Sequence, residues 1–169
     1  MDKVIVIGCP GSGKSVFSRE LHAITGLPLY PLDLLYWRPD RTTVTREQLI
    51  ERIKTIAAGE KWIFDGNYSS TMELRMSYCD TVIFLDYPTE VCYEGIMKRR
   101  GTSHPDLPWT EPAGEPDKEL EETVLNYNAV SRPVVLELIE KYSDREIHIF
   151  EDRSEAAAFL ERLRRKAKL

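Results

Sequence analysis

The chain has 169 residues, of which 42% are hydrophobic and 30% are charged, and its net charge at pH 7 is −5. These proportions are ordinary for a globular protein, and the length predicts one domain, residues 1–169, with a sizeable core. The acidic balance gives no overall attraction to nucleic acid and argues against direct nucleic-acid binding. The composition leaves the oligomeric state open.

Three features predict a cytoplasmic protein. No apolar run is long enough to cross a membrane, so we expect no membrane association. The N-terminus leads straight into a predicted strand, unlike a signal peptide. Cys9, Cys79 and Cys92 lack metal-type spacing, and their odd number argues against a disulfide framework.

The first predicted strand, residues 3–7, runs directly into a phosphate-binding loop. The loop matches the pattern G-x-x-x-x-G-K-[ST] at every fixed position, and its residues are Gly8, Cys9, Pro10, Gly11, Ser12, Gly13, Lys14 and Ser15. Glycines let backbone N–H groups surround an anion, and the helix that follows adds the positive end of its dipole. The lysine predicts contact with the β- and γ-phosphates, and the serine hydroxyl predicts a Mg²⁺ ligand. The side chain of Cys9 is not required by the pattern.

The remaining chain alternates between predicted strands and helices. Further strands are predicted at residues 27–33, 61–66, 81–86 and 147–150. Two prolines place the second strand at a sheet edge, and Thr45 with Gln48 forms a capping box for the helix after it. Residues 117–142 predict a long helix interrupted or kinked at Pro133. This alternation predicts a parallel sheet covered by helices on both faces.

Three predicted strands end in a carboxylate: Asp33, Asp65 and Asp86. Ligands of parallel sheets bind beyond the carboxyl ends of the strands, where the phosphate loop also lies. We therefore expect this rim to hold metal and substrate, although a turn role is favoured for Asp86 because Tyr87-Pro88 follows it.

Five stretches, residues 5–15, 28–37, 62–68, 80–88 and 126–142, carry a resemblance to known proteins. The chain resembles small P-loop kinases of the adenylate-kinase type, and more closely the bacterial DNA topology modulation proteins related to them. The resemblance implies a three-layer P-loop NTPase fold with strand order 2-3-1-4-5, and the cofactors ATP and Mg²⁺. It also implies a lid after strand four, at about 101–118, and an acceptor-binding region at about 33–60.

The resemblance also implies roles for single residues. Asp65-Gly66 matches the Asp-Gly pair of adenylate kinases, whose carboxylate holds Mg²⁺ through water. Asp33 stands where shikimate-kinase-like relatives place an Asp that faces the acceptor, and Arg132-Pro133 matches their Arg-Pro step, whose Arg points at phosphates. Alternatives remain open: an Asx turn for Asp65, acceptor binding or general-base catalysis for Asp33, and a surface ion pair for Arg132.

The acceptor side departs from the adenylate-kinase pattern. The predicted lid contains no arginine and is acidic, with Asp106, Glu111 and Glu115. Positive charge stands instead at its base, where Arg99 or Arg100 is a candidate ATP contact.

Further candidates come from the segments before the lid. Arg75 is a candidate clamp for an acceptor phosphate, and Gly66 a candidate acceptor contact. Trp37, Tyr36 and Tyr68 are candidates for stacking on a base or sugar. Arg153 is placed beside the adenine by analogy alone.

The sequence thus predicts an ATP-dependent phosphotransferase that acts on a small acceptor. The acceptor expected first is a nucleotide or nucleoside, and next a hydroxylated metabolite. The alternative is a nucleotide-binding regulator linked to DNA topology, with little kinase activity.

Overall fold

The computed structural model describes residues 1–109 and 117–167. Five strands and seven helices are found in this part of the chain. The strands are β1 Lys3–Gly8, β2 Leu29–Pro31, β3 Trp62–Asp65, β4 Thr81–Leu85 and β5 Glu146–Phe150. The helices are α1 Lys14–Thr25, α2 Leu32–Tyr36, α3 Arg46–Ala57, α4 Ser69–Tyr78, α5 Thr89–Lys98, α6 Lys118–Lys141 and α7 Arg153–Ala167.

The strands form one parallel sheet in the order β2-β3-β1-β4-β5, which confirms the predicted topology. The central strand β1 has neighbours on both sides, and four of its six residues, Val4, Ile5, Val6 and Ile7, are fully buried. A continuous apolar run is typical of a parallel strand covered on both faces. β2 lies at the edge of the sheet, as its prolines predicted.

The helices pack in two groups. α1 contacts α7. On the other side, α3 contacts α4, α4 contacts α6, and α6 contacts α5. The chain moves from β1 to β2 in one direction across the sheet and makes its later crossovers in the other. Right-handed crossovers therefore place the two groups on opposite faces, which gives the three-layer architecture.

Local signals account for several element boundaries. The capping box of α3 is confirmed, because the Thr45 side chain accepts from the Gln48 N–H while the Gln48 side chain accepts from the Thr45 N–H. The long helix α6 continues through Pro133 without interruption, contrary to one of the two expectations for that proline. Its N-terminus is capped by Asp117, whose carboxylate accepts from the Glu119 N–H.

Two further expectations concern the predicted lid and membrane-spanning helices. Residues 110–116 of the predicted lid, with Glu111 and Glu115, lie outside the described residues. Within the described part of the chain, no helix is both long and apolar enough to cross a membrane.

Candidate functional site

The phosphate loop connects β1 to α1 and owes its shape to glycine. Gly11 and Gly13 have φ angles of 84° and 92°, in the region that side chains disfavour. A Cβ on Gly11 would lie 1.9 Å from the carbonyl oxygen of Cys92, so only glycine permits α5 to approach the loop. Gly13 caps α1 without a side-chain hydrogen bond, which leaves the N-terminal N–H groups of α1 directed at a ligand.

Lys14 is folded back over this loop. Its ammonium group donates to the carbonyl oxygen of Cys9 at 3.0 Å. Burial lowers the pKa of Lys14, and the nearby carboxylate of Asp65 partly opposes that change. A lysine held by one carbonyl beside a carboxylate is placed to exchange that contact for a phosphate oxygen.

Asp65 ends β3 next to the loop and is only 5% exposed. Burial raises the pKa of its carboxyl from 3.8 to about 6, although Lys14 and a hydrogen bond with the Ser15 side chain act in the opposite direction. Its Oδ1 atom is buried and has no hydrogen-bond partner among the described residues. A buried carboxylate oxygen without a partner is costly, and a bound cation would supply the missing interaction.

The donor set around Asp65 fits Mg²⁺. Carboxylate and hydroxyl oxygens are the ligands that this ion prefers, and it is usually held by one or two protein groups together with waters and substrate phosphates. In residues 1–109 and 117–167 no group of three or more His, Cys, Asp or Glu side chains could hold a metal ion unaided. Asp65 and Ser15 therefore form a donor set that fits Mg²⁺, and the binding of the ion stays a prediction.

A cavity of about 520 Å³ opens from the loop, a volume within the range of small-ligand sites. One end is polar and is formed by the loop, Lys98 and Arg99. The other end is apolar and lies between α1 and α7, beside the predicted Arg153. Further lining residues, which had no predicted site role, are Val16, Phe17, Glu20, Leu85, Tyr87, Gly95, His104, Ala156, Ala157, Leu160 and Arg164. Val16 and Phe17 follow the loop directly in sequence, whereas the packing of α7 against α1 brings the residues of α7 to it.

Asp33 lies in α2, across the rim from the loop. Its Oδ1 atom accepts a hydrogen bond of 2.6 Å from the Tyr68 hydroxyl. Burial, together with the charge of Asp33, raises the pKa of Tyr68, so that this phenol stays protonated as a donor. The negative charge of Asp33 also opposes the lowering of the Lys14 pKa, so these two side chains lie close enough to interact electrostatically.

Gly66 and Trp37 also lie on the acceptor side. Gly66 has a φ angle of 131°, and a Cβ there would lie 3.2 Å from the Leu32 side chain, so β3 and the start of α2 are in close contact. The Trp37 ring makes an edge contact with Tyr36, with centroids 5.3 Å apart.

Arg75 differs from its predicted role. It is fully buried, and its guanidinium donates to the carbonyl oxygens of Gly66 (2.9 Å), Asn67 and Tyr68 (3.3 Å). Burial lowers the pKa of Arg75 to about 9. The side chain therefore holds the segment after β3 in place rather than presenting a charge to an acceptor phosphate. A single arginine in a short helix gave no sign of this burial.

Arg132 lies on α6 and pairs with Asp86 at the end of β4. Its Nε and Nη2 atoms each lie 2.8 Å from a carboxylate oxygen of Asp86. The pair lines a second, smaller cavity with Asn128 and Glu151, and Arg132 is not among the residues around the phosphate loop cavity. The structure thus shows the ion pair, one of the two alternatives for Arg132. The turn role favoured for Asp86 is not found, because residues 86–88 form no turn and the Asp86 carboxylate bonds Arg132 instead.

The described part of the predicted lid contacts α1 and the loop after α2. Asp106 is 6% exposed and forms an ion pair with Arg19 of α1. Trp109 makes an edge contact with Trp37, with ring centroids 5.4 Å apart. The sequence indicated an acidic lid, but it did not reveal that Asp106 has a basic partner on α1 or that Trp109 meets the acceptor-binding region.

Two arginines at the basic end of α7 pair with neighbouring acids. Arg164 lies 2.7 Å from a carboxylate oxygen of Glu20, and Arg165 lies 3.5 Å from one of Glu161. These contacts suit a structural role for the basic residues of α7. The absence of nucleic-acid binding stays a prediction.

Comparison with known proteins finds similarity in structure only. No family model matches the sequence, and no curated protein matches it. The solved structure of shikimate kinase from Bacteroides thetaiotaomicron matches with a TM-score of 0.56 at 19% identity, covering 98% of each chain. Shikimate kinase from Acinetobacter baumannii in complex with shikimate matches with a TM-score of 0.62 at 12% identity, covering 96% of this chain and 90% of the other.

A third solved structure is also similar in fold at low sequence identity. Shikimate kinase from Aquifex aeolicus has a TM-score of 0.53 at 17% identity, covering 95% of this chain and 92% of the other. At these identities the likeness concerns the fold, and a membership in the topology modulation proteins stays a prediction. The chain has the five-stranded, all-parallel P-loop fold that is also found in shikimate kinases.

Proposed function

We propose that this protein is a Mg²⁺-dependent P-loop kinase that transfers the γ-phosphoryl group of ATP to a hydroxyl of a small acceptor. The observation that carries the proposal is the pairing of the loop with Asp65. An anion cradle that contains Lys14 lies beside a buried carboxylate with one unpartnered oxygen. Together these groups suit a phosphate chain and its divalent cation.

The cavity matches the donor nucleotide. Its polar end suits the triphosphate, and its apolar end between α1 and α7 suits the base, with Arg153 and Leu160 in the lining. Arg99 lines the polar end, where a guanidinium can bind a phosphate oxygen. Ser15 and Asp65 would hold Mg²⁺, which would supply positive charge to neutralise the phosphates.

The protein's own groups then act in three ways. Lys14 leaves the Cys9 carbonyl and binds the phosphates that carry the developing charge. Asp33 accepts the proton or the hydrogen bond of the acceptor hydroxyl, which orients that oxygen toward the γ-phosphorus. The ion pair between Arg19 and Asp106 holds the described part of the lid against α1 and so limits the access of water. Arg132 joins the phosphates only if it leaves Asp86, and we assign it no step.

The first experiment measures the binding of ATP in the presence of Mg²⁺ by isothermal titration calorimetry. We expect Lys14→Ala to weaken binding at least about tenfold, the effect of losing one charge-assisted contact. Lys61→Ala is the matched control, because Lys61 is 63% exposed and its nearest carboxylate is on Asp2. ATP binding that is unaffected by Lys14→Ala, or no ATP binding at all, would refute the proposal.

The second experiment measures ADP release with candidate acceptors. We expect an acceptor to raise ADP release above the rate with ATP alone, and Asp33→Asn to remove that increase while ATP binding persists. ADP release that no acceptor changes would indicate an ATPase instead of a kinase.

A further inference from the structure

Four aromatic side chains form a continuous surface beside Asp33. We call Tyr36, Trp37, Tyr68 and Trp109 the aromatic group. The Tyr36 and Tyr68 ring centroids lie 5.0 Å apart, those of Tyr36 and Trp37 lie 5.3 Å apart, and those of Trp37 and Trp109 lie 5.4 Å apart. All four side chains are partly exposed. Aromatic residues assembled only for stability are usually buried, so a partly exposed group at a site rim suits a ligand.

The aromatic group combines a lid residue with residues of the acceptor-binding region. Trp109 belongs to the segment after α5, whereas Trp37 follows α2 directly. Trp37 is also held by a bridge to Thr43, so its position is defined by the loop that follows it. An acceptor bound here would lie between the lid and α2, where a closed lid excludes water.

Asp33 is the charged residue of α2, and its carboxylate contacts the aromatic group through Tyr68. Asp33 Oδ1 is bound by Tyr68, whereas no hydrogen bond to Oδ2 is found among the described residues. That second oxygen is an acceptor of hydrogen bonds and suits a hydroxyl. It would repel a phosphate or a carboxylate.

The positive charges of this region already have protein partners. Residues 33–75 contain five arginines and two lysines. Arg41 lies over the Trp109 ring, 5.6 Å from its centroid. The other four arginines, Arg38, Arg46, Arg52 and Arg75, donate to carbonyl oxygens. The two lysines, Lys54 and Lys61, lie near carboxylates. Arg75, the basic residue that the sequence predicted for an acceptor phosphate, is fully buried.

We propose that the acceptor is an uncharged ring compound with adjacent hydroxyl groups, such as the furanose of a nucleoside or a free monosaccharide. The aromatic group packs on the faces of the ring, and Asp33 Oδ2 binds a hydroxyl. This inference rests on the proposed kinase function. It separates the protein from kinases whose acceptor carries its own phosphate or carboxylate, since that anion would have to displace the existing contacts of these basic groups and would be repelled by Asp33.

The test uses matched pairs of acceptors with the full-length protein, ATP and Mg²⁺. One member of each pair is uncharged, and its partner carries one added anionic group. The pairs are a ribonucleoside and its 5′-monophosphate, glucose and glucuronate, and the methyl ester of shikimate and shikimate itself. ADP release is measured for each compound, and the nucleoside and sugar arms distinguish the two sources of the ring.

We expect at least one uncharged compound to raise ADP release, with a kcat/KM at least about tenfold above that of its anionic partner, since one misplaced charge costs more than about 1.4 kcal/mol. MgATP binding without stimulation by any uncharged compound would overturn this proposal and leave ATP binding intact. A preference for an anionic partner would overturn it as well. Absence of MgATP binding would overturn the proposed function and this inference together.

Two substitutions locate the acceptor. Trp37→Ala should raise the KM of the uncharged acceptor about tenfold, the scale of one aromatic contact, without changing the KM of ATP. Trp37→Phe keeps a ring and should recover most of that loss. Tyr78→Ala is the control, because Tyr78 is an exposed aromatic residue at the end of α4. Equal effects of Trp37→Ala and Tyr78→Ala on the KM of the acceptor would contradict the placement.

Discussion

Asp65 provides a prediction about stability that depends directly on the proposed metal site. Its carboxyl is 5% exposed, and one of its oxygens lacks a partner among the described residues. Burial raises its pKa from 3.8 to about 6. In the metal-free protein at neutral pH, the folded state must therefore hold a poorly solvated negative charge. Asp65→Asn removes this charge with almost no change in volume.

The sign of the change in folding stability with pH follows from the raised pKa of Asp65. Folding favours the protonated carboxyl, so the contribution of Asp65 to stability is complete below pH 3.8 and is lost as the pH rises through about 6. A difference of roughly two pKa units corresponds to about 3 kcal/mol. Because asparagine is uncharged at every pH, Asp65→Asn should be more stable than the wild type by up to about 3 kcal/mol at pH 7.5, and by about half as much at pH 5.

The assay is urea unfolding with a chelator at pH 5.0, 6.0 and 7.5, followed by fluorescence. Asp144→Asn is the control, since its carboxylate is 69% exposed and pairs only with Arg145 in the described part of the chain. The reasoning would be refuted if the difference in the free energy of unfolding between Asp65→Asn and the wild type did not grow with pH. It would also be refuted if the variant were less stable than the wild type at pH 7.5. Saturating MgATP should stabilise the wild type more than the variant, because only the wild type keeps the carboxylate for Mg²⁺.

Three further substitutions test the framework around the site by urea unfolding. Gly11→Ala should lower the free energy of unfolding by at least about 2 kcal/mol more than Gly13→Ala does. Both residues have a positive φ, but only a Cβ on Gly11 would clash with a carbonyl oxygen of α5. Equal losses of stability would contradict this. Arg75→Met should lose about 3 kcal/mol or more, because three carbonyl oxygens lose a charged donor; a loss below about 1 kcal/mol would show that these contacts matter little. Thr45→Ala should lose about 1 kcal/mol through the capping box, whereas Thr55→Ala in the exposed body of α3 should not.

The donor side of the site could be predicted because its chemistry is local in sequence. The phosphate loop needs glycine, lysine and serine at fixed spacing, and all of them lie within residues 8–15. The parallel sheet followed from the alternation of strands and helices, and the strand order followed from the resemblance to P-loop kinases. The position of Asp65 next to Ser15 followed from the rule that strand ends share one edge.

The acceptor side could not be predicted in the same way, because its contacts join distant segments. Arg75 was expected to be a ligand contact, but the turn after β3 surrounds it with three carbonyl oxygens. The pairs of Arg19 with Asp106 and of Arg132 with Asp86 bridge 87 and 46 positions in sequence. No spacing rule relates such residues, and only the packed structure shows which charge has a partner.

The central claim is that the γ-phosphoryl group of ATP moves to a hydroxyl of a second molecule. The most direct measurement follows the label from γ-³²P-ATP by thin-layer chromatography, with Mg²⁺ and the uncharged acceptors described above. We predict that the wild type transfers the label to an acceptor and that Lys14→Ala does not. Label that appears only as inorganic phosphate, or equal transfer by Lys14→Ala, would contradict the claim.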